Sequence, residues 1–144
     1  MSYAEKTKVP IFRSQAELRR TLEKYGATAF AFAESKEKAM IQFEMAGKRI
    51  KFLLPLPIKH VTKNKKGYVM SEKDVEQASR SKWRSLTLAI KAKLECVDAG
   101  ITTLEQEFMA HILLPNGNTV GEIMLPEIEA SYKNGEMPLL LGMG

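Results

Sequence analysis

The chain has 144 residues, of which 44% are hydrophobic and 27% charged, and these values exclude a wholly disordered chain. Cys96 is the only cysteine, which excludes an intramolecular disulfide and favours a reducing compartment. No apolar run reaches the length of a membrane span, and the N-terminal stretch MSYAEKTKVP lacks the apolar region of a secretory signal. We expect one domain over residues 1–144, soluble and cytoplasmic, with no membrane partner.

The formal net charge of +5 is unevenly distributed along the chain. Residues 1–99 contain 21 Lys and Arg against 11 Asp and Glu, whereas residues 100–144 contain one lysine against six glutamates. A basic body of this kind favours a polyanionic partner. The acidic end can either screen the basic surface of the same molecule or contact that surface on a second copy of the protein. The second possibility leads us to expect a homo-oligomer.

The first predicted element is a helix. Residues 1–13 are predicted as an extended lead-in to it. Ser14 and Glu17 have the spacing of a capping box, in which each side chain satisfies a backbone N–H at a helix start. Leucines then recur at helical spacing, and Gly26 supplies a left-handed stop. The sequence therefore predicts a helix from Ser14 to Gly26.

Three strands are predicted between residues 27 and 57. The segment ATAFAFAES alternates phenylalanine with alanine, which indicates a strand with one bulky face. Two further alternating strands flank Ala46-Gly47, and prolines end the second of them. A two-residue turn there gives a self-consistent register, with Phe43 opposite Ile50 and Glu44 opposite Arg49. A bulged three-residue loop at the same position is the open alternative.

A basic loop over residues 58–71 precedes a long helix. Ser71 starts this helix with a capping box, and Gly100 stops it. A short helix then follows, capped at Thr102 or at Thr103, since each has a suitable Glu or Gln three residues later.

The last third of the chain is predicted to contain a turn and a final helix. Asn116-Gly117 is a strong turn signal for a second hairpin, and Thr119 has a capping-box glutamate three residues later. Residues 109–125 fit either a hairpin or a helix, and residues 136–144 are predicted as a tail. The predicted order is a helix, a three-stranded antiparallel meander, a long basic amphipathic helix packed on the sheet, and short helices. This is an α+β domain.

Helical angles divide the long helix into an apolar stripe and a basic column. The stripe, which we expect to lie against the sheet, consists of Trp83, Leu86, Ile90, Leu94 and Val97. The column beside it consists of Arg80, Arg84, Thr87 and Lys91. Two interpretations stay open for this column. It is either a solvated or ion-paired face, as is common for Arg and Lys along apolar edges, or a polyanion site.

No constellation of residues predicts catalysis. The chain has no glycine-rich phosphate loop, and its two histidines, His60 and His111, with Cys96 are too few for a zinc site without carboxylates. His60 is predicted to be solvated, His111 to be half-buried and Cys96 to be buried. A carboxylate metal site around the turn after the long helix is an alternative, with Glu95, Glu105 and Glu107 as its ligands. We expect a protein that is not an enzyme and needs no cofactor.

The basic residues form the constellation that predicts a partner. They come from outward strand positions, the basic loop and the helix column: Arg49, Lys51, Lys63, Lys65, Lys66, Arg80, Arg84 and Lys91. Cations in this number predict salt-dependent binding to a phosphate backbone. Phe30 and Phe32 are predicted in the core and Tyr68 is the only aromatic of the loop, so backbone contacts are favoured over base stacking.

Three segments of the sequence are distinctive as a set: RSQAELRRTLEKYGA, IQFEMAGKRIKFLLPLP and KWRSLTLAIKAKLECVDAGITTLEQEFMAHILLPNGNTVGEIMLPEI. Together they resemble a family of short uncharacterised bacteriophage and prophage proteins. The resemblance implies a mobile-element origin and a bacterial host cell. A second resemblance is to phage single-strand annealing proteins, which assemble on DNA. It rests on the order of the predicted elements and on the basic residues of the long helix. That likeness implies an oligomer on single-stranded DNA.

Two functions follow as expectations. The first is a non-catalytic, phage-derived nucleic-acid-binding protein that grips the phosphate backbone, with single-stranded DNA favoured, in replication or recombination. The alternative is a small anti-defence inhibitor that binds a bacterial immune complex, because a single-domain phage protein without a catalytic signature suits that role. The first requires salt-dependent binding to nucleic acid, and the second requires a host protein partner.

Overall fold

The computed structural model describes residues 4–138 of the chain. Its elements are α1 (Ile11–Lys24), β1 (Ala29–Glu34), β2 (Lys38–Met45), β3 (Lys48–Pro55), α2 (Glu72–Asp98), α3 (Leu104–Phe108), a 3₁₀ turn (Met109–His111) and α4 (Val120–Asn134). The predicted α+β class and element order are confirmed. Residues 1–3 of the predicted lead-in and residues 139–144 of the predicted tail lie outside the described residues. Between residues 4 and 138, no helix has both the length and the hydropathy that a bilayer crossing requires.

The three strands form one antiparallel sheet in the order β1-β2-β3. Phe43 lies opposite Ile50 and Glu44 opposite Arg49, so the predicted register is confirmed. Ala46-Gly47 forms the two-residue turn rather than the bulged loop, because Met45 pairs with Lys48 directly. Both turn residues have positive φ, at 50° and 77°, as a turn that matches the right-handed twist of the strands requires.

The inner face of the sheet carries the hydrophobic core. Alternate residues of β2 and β3 are buried there, while their neighbours point to the outer face of the sheet. Trp83, Ile90 and Leu94 of the predicted stripe on α2 are each at most 1% exposed and belong to the same core. The Trp83 ring packs edge-on against Phe32, with 5.9 Å between ring centroids. The prediction that α2 packs on the sheet is therefore confirmed.

The start of α1 differs from the prediction. The helix begins at Ile11, three residues earlier than expected, and Pro10 rather than Ser14 precedes the first helical residue. The predicted extended lead-in is also wrong at residues 4–6, which form a turn closed by a hydrogen bond from Thr7 N–H to the Ala4 carbonyl oxygen. Ser14 is fully buried inside α1, and its carbonyl oxygen accepts a hydrogen bond from the Thr87 hydroxyl of α2 at 3.2 Å. The capping-box spacing was misleading here because packing against α2 buries Ser14, while the φ of −61° at Pro10 suits the entry to a helix.

The basic loop of residues 58–71 contains a small hairpin of its own. Lys63 and Val69 are bridged as in a two-stranded ladder, and the Asn64 side chain accepts hydrogen bonds from the backbone N–H groups of Lys66 and Tyr68. The loop therefore holds its lysines on an ordered turn. Ser71 caps α2 in the predicted capping box.

The last third contains both structures that the sequence left open. Thr103, not Thr102, caps α3. The chain then forms the 3₁₀ turn, and residue Ile112 pairs with Ile50 at the free edge of β3. A tight hairpin follows, bridged between Leu113 and Thr119, and Thr119 caps α4. Residues 109–125 are thus a turn, a hairpin and the first residues of a helix in succession.

Candidate nucleic-acid interface

The eight cations predicted to bind nucleic acid lie on two different sides of the sheet. Arg49 and Lys51 alternate along β3 with the buried Ile50 and Phe52, so they point to the outer face of the sheet. Helix α2 packs on the inner face. Arg49 and Lys51 therefore do not form one surface with the residues of α2.

The basic column of α2 lies mainly against α1. The guanidinium group of Arg84 forms an ion pair with Glu17 of α1, and the Arg84 side chain is only 14% exposed. Thr87, one turn further along, is fully buried against Ser14. The ion-paired interpretation therefore holds for Arg84. Lys91 is on the same side of α2 and is exposed.

Arg80 has a different environment from Arg84. Its Nη2 donates a hydrogen bond of 2.7 Å to the side-chain oxygen of Gln77, and the Gln77 amide in turn donates to the backbone carbonyl of Thr7 at 2.8 Å. These bonds attach the N-terminal segment to α2. Arg80 also lines a cleft of about 450 Å³ beside that segment, together with Lys8, Pro10, Ile11, Phe12 and Glu76.

A second cleft, of about 480 Å³, lies between the basic loop and the first half of α2. Its basic residues are Lys65, Lys66 and Lys82, and Gln77 lies on its wall, as does Glu5. Lys65 Nζ lies 3.9 Å from the Glu5 carboxylate, but its side chain is 95% exposed, so this pair is weak. Lys63 is exposed on the same loop.

A third cleft, of about 370 Å³, follows the exposed side of α1 towards β1. It is lined by Phe12, Gln15, Ala16, Arg19, Arg20 and Phe32. The Arg19 guanidinium lies over the Phe30 ring, 4.6 Å from its centroid, which is a cation–π contact. Phe12 is 69% exposed and lines both this cleft and the cleft beside Arg80.

The three clefts are neighbours, and we call the surface that they form the basic band. Gln77 lies between the loop cleft and Arg80, where the N-terminal segment is hydrogen-bonded to α2, and Phe12 lines both the cleft beside Arg80 and the α1 cleft. Seven cations line the band: Lys8, Arg19, Arg20, Lys65, Lys66, Arg80 and Lys82. Three carboxylates line it: Glu5, Asp74 and Glu76. Within residues 4–138, Lys65 alone among these cations lies within 4.0 Å of a carboxylate, so the band keeps a positive balance.

The band contains three of the eight predicted residues: Lys65, Lys66 and Arg80. Sequence reasoning missed its other four cations and its exposed aromatic ring, Phe12. The adjacent arginines at 19 and 20 were a visible signal. Phe12 was hidden because it was assigned to an extended lead-in, where the direction of its side chain is undefined. Once α1 begins at Ile11, helical geometry separates the outward Phe12 from the partly buried Ile11.

Two of the three residues considered for metal binding, Glu105 and Glu107, have other partners, and Glu95 is exposed. Glu105 forms an ion pair of 2.9 Å with Lys48, which lowers the pKa of the Glu105 carboxyl. Glu107 pairs with Lys93 at 3.6 Å and accepts a hydrogen bond from the Thr102 hydroxyl. The described part of the chain contains no group of three or more His, Cys, Asp or Glu side chains that would hold a metal ion.

His111 is half-buried, as predicted. Its ring stacks on Phe52, with 3.9 Å between ring centroids and 17° between ring planes. Burial lowers the pKa of His111, while a hydrogen bond with the backbone of Lys51 acts in the opposite direction. These contacts describe a packed side chain at the rim of the sheet. Cys96, which was predicted to be buried, is only partly buried.

The chain matches no family model, and comparison with curated proteins and with solved structures gave no significant match. The phage origin and the likeness to annealing proteins therefore stay predictions.

Proposed function

We propose that the protein binds nucleic acid through the basic band, without catalysis, and that single-stranded DNA is the favoured ligand. The observation that supports this proposal most is the arrangement of the band itself. Seven cations line three neighbouring clefts, and an exposed phenylalanine lies between two of these clefts. Cations along a groove contact phosphates, and exposed aromatic rings stack with unpaired bases.

The preference for single strands follows from Phe12. A duplex keeps its bases stacked inside, whereas a single strand offers their faces to an exposed ring. Arginines next to aromatic rings, as at Arg19 and Phe30, also provide flat surfaces for stacking. This changes the sequence-based hypothesis in one respect: we now propose that the protein stacks with bases in addition to contacting phosphates. A role in replication or recombination remains part of the proposal.

Fluorescence anisotropy tests the proposal with labelled single-stranded and double-stranded oligonucleotides over a salt series. We expect the single strand to bind more tightly, with log K falling by about 0.7 per phosphate contact for each decade of salt. Phe12→Ala should weaken single-strand binding by roughly 1–3 kcal/mol and leave the salt slope unchanged, because stacking involves no counterion release.

A pair of double variants locates the site. Arg19→Glu/Arg20→Glu reverses two charges in the band, and Arg49→Glu/Lys51→Glu makes the same change on the outer face of the sheet. We expect the first variant to lose most of the affinity and the second to keep most of it. Equal losses would show that the band is not the binding site. If the wild-type protein binds no oligonucleotide at low salt, the proposal fails and the prediction of a protein–protein inhibitor takes its place.

A further inference from the structure

Helix α4 exposes an apolar stripe that no described element covers. Leu125, Ile128 and Tyr132 are spaced as i, i+3 and i+7, and they are 61%, 39% and 88% exposed. Only Gly121 of this helix is buried. It packs against Ala110, whose carbonyl oxygen lies 2.8 Å from the position that a Cβ at residue 121 would occupy. Helix α4 is therefore attached by its first turn, and its apolar stripe continues beyond that contact.

The outer face of the sheet is also uncovered over most of its area. Ala29, Ala31 and Ala33 of β1 are exposed, and Leu53 of β3 is 51% exposed. The strand pairing aligns small and apolar side chains in rows across this face, for example Ala33 with Met40 and Met40 with Leu53. A flat face bordered by alanines allows close approach of a helix.

The two uncovered surfaces are adjacent and have complementary charges. A cleft of about 250 Å³ separates the first turns of α4 from Lys51 and Leu53 of the outer face, so the surfaces meet there. Helix α4 carries three glutamates against one lysine, while the outer face of the sheet carries Lys38, Arg49 and Lys51 against one carboxylate, Glu44, which lies opposite Arg49. By helical angle, Glu129 flanks the apolar stripe on α4.

The dimensions also agree. At about 1.5 Å per residue, the 15 residues of α4 span about 22 Å. At about 3.3 Å per residue, the eight residues of β2 span about 26 Å. One helix can therefore cover the length of the outer face. Adjacent, complementary surfaces of similar length suit a two-fold interface, because each copy supplies both halves of it.

We propose that the protein forms a two-fold symmetric dimer in which the apolar stripe of α4 in each copy covers the outer sheet face of the other. Leu125, Ile128 and Tyr132 pack on the alanines, Met40 and Leu53, and Glu129 lies near Arg49 and Lys51. The basic band remains outside this interface, because it lies on the helix side of the sheet. This proposal is independent of nucleic-acid binding.

Sedimentation equilibrium of the full-length protein over a wide concentration range tests the dimer. We expect Tyr132→Asp and Leu53→Asp each to raise the dimer dissociation constant by about tenfold or more, because each places a charge in the apolar centre of the interface. Val61→Asp is the matched control, since Val61 is an apolar residue of the basic loop with 66% exposure. It should leave the dissociation constant unchanged.

Mixing the two variants tests the reciprocal arrangement. In each variant homodimer both contacts contain a defect, whereas a heterodimer of Tyr132→Asp with Leu53→Asp retains one intact contact. An equimolar mixture should therefore associate more strongly than either variant alone. No recovery on mixing, a dimer insensitive to both variants, or a wild-type protein that stays monomeric would overturn the proposal. The Tyr132→Asp monomer should still bind oligonucleotides, so the two proposals fail separately.

Discussion

The ion pair between Arg84 and Glu17 gives a prediction that separates a structural cation from a binding cation. The two side chains are 14% and 26% exposed, between the fully buried and the exposed limits. Removing one partner of a buried pair costs about 3–5 kcal/mol, and an exposed pair contributes about 0–1 kcal/mol. We therefore expect Glu17→Gln to lower the free energy of unfolding by about 2 kcal/mol, since it leaves the more buried Arg84 without its counter-charge.

The opposite substitution should cost less. Arg84→Met leaves the Glu17 carboxylate unpaired, but this group is the more exposed of the two and can be hydrated by solvent. The substitution also removes the buried Arg84 Nε, which has no hydrogen-bond partner among the described residues. We expect Arg84→Met to lower the free energy of unfolding by about 1 kcal/mol, which corresponds to a decrease in Tm of about 3 °C. The corresponding decrease for Glu17→Gln is about 7 °C. Trp83, the only tryptophan and 1% exposed, reports unfolding by its fluorescence in a urea titration.

The refuting result concerns oligonucleotide affinity measured on the same proteins. Arg84→Met should leave the affinity within about twofold of wild type, because its guanidinium is committed to Glu17. If Arg84→Met keeps full stability and loses affinity instead, the column on α2 is the phosphate site that the sequence suggested. The assignment of Arg84 to the contact between α1 and α2 would then be wrong.

Three further predictions concern stability and are checked by urea unfolding. Gly121→Ala should lower the free energy of unfolding by about 1–3 kcal/mol, because the new Cβ would lie 2.8 Å from the Ala110 carbonyl oxygen. Ala46→Asn should raise it by about 0.5–1 kcal/mol, because asparagine tolerates the φ of 50° better than alanine does. His111→Phe should flatten the acid side of the pH profile. Since burial lowers the pKa of His111, the unfolded chain binds more protons, and wild-type stability falls as pH decreases below about 6.5.

The sequence predicted the parts of the fold that depend on local periodicity. Alternation placed β2 and β3 in the correct register, because a slip by one residue would have exposed Phe43 and buried Glu44. The stop at Gly100 was predicted equally well, since Gly100 has the φ of 75° that favours glycine. The start of α1 was not, because the burial of Ser14 depends on α2, a partner more than 70 residues away in sequence.

The candidate site shows the same division between local and distant information. Helical angles correctly placed Arg84 and Thr87 on one side of α2, but they do not reveal which element covers that side. Only the folded chain shows that α1 lies there. The same fact explains why the sequence did not single out Arg19 and Arg20. They are exposed because α1 packs on α2 by its other side, and the nearby carboxylate of Glu17 is paired with Arg84.

The folded structure shows which of the C-terminal glutamates form ion pairs with the basic part of the chain. Two of the C-terminal glutamates neutralise the body directly, since Glu105 pairs with Lys48 and Glu107 with Lys93. The glutamates of α4 are not used in this way, and the one ion pair described for them, between Glu129 and Lys133, lies within the helix. The C-terminal glutamates therefore fall into two groups: Glu105 and Glu107 form ion pairs with lysines of the body, and the glutamates of α4 lie on an uncovered helix. In the dimer that we propose, this charge lies near Arg49 and Lys51 of the other copy, so it would serve association between copies rather than screening of the basic band.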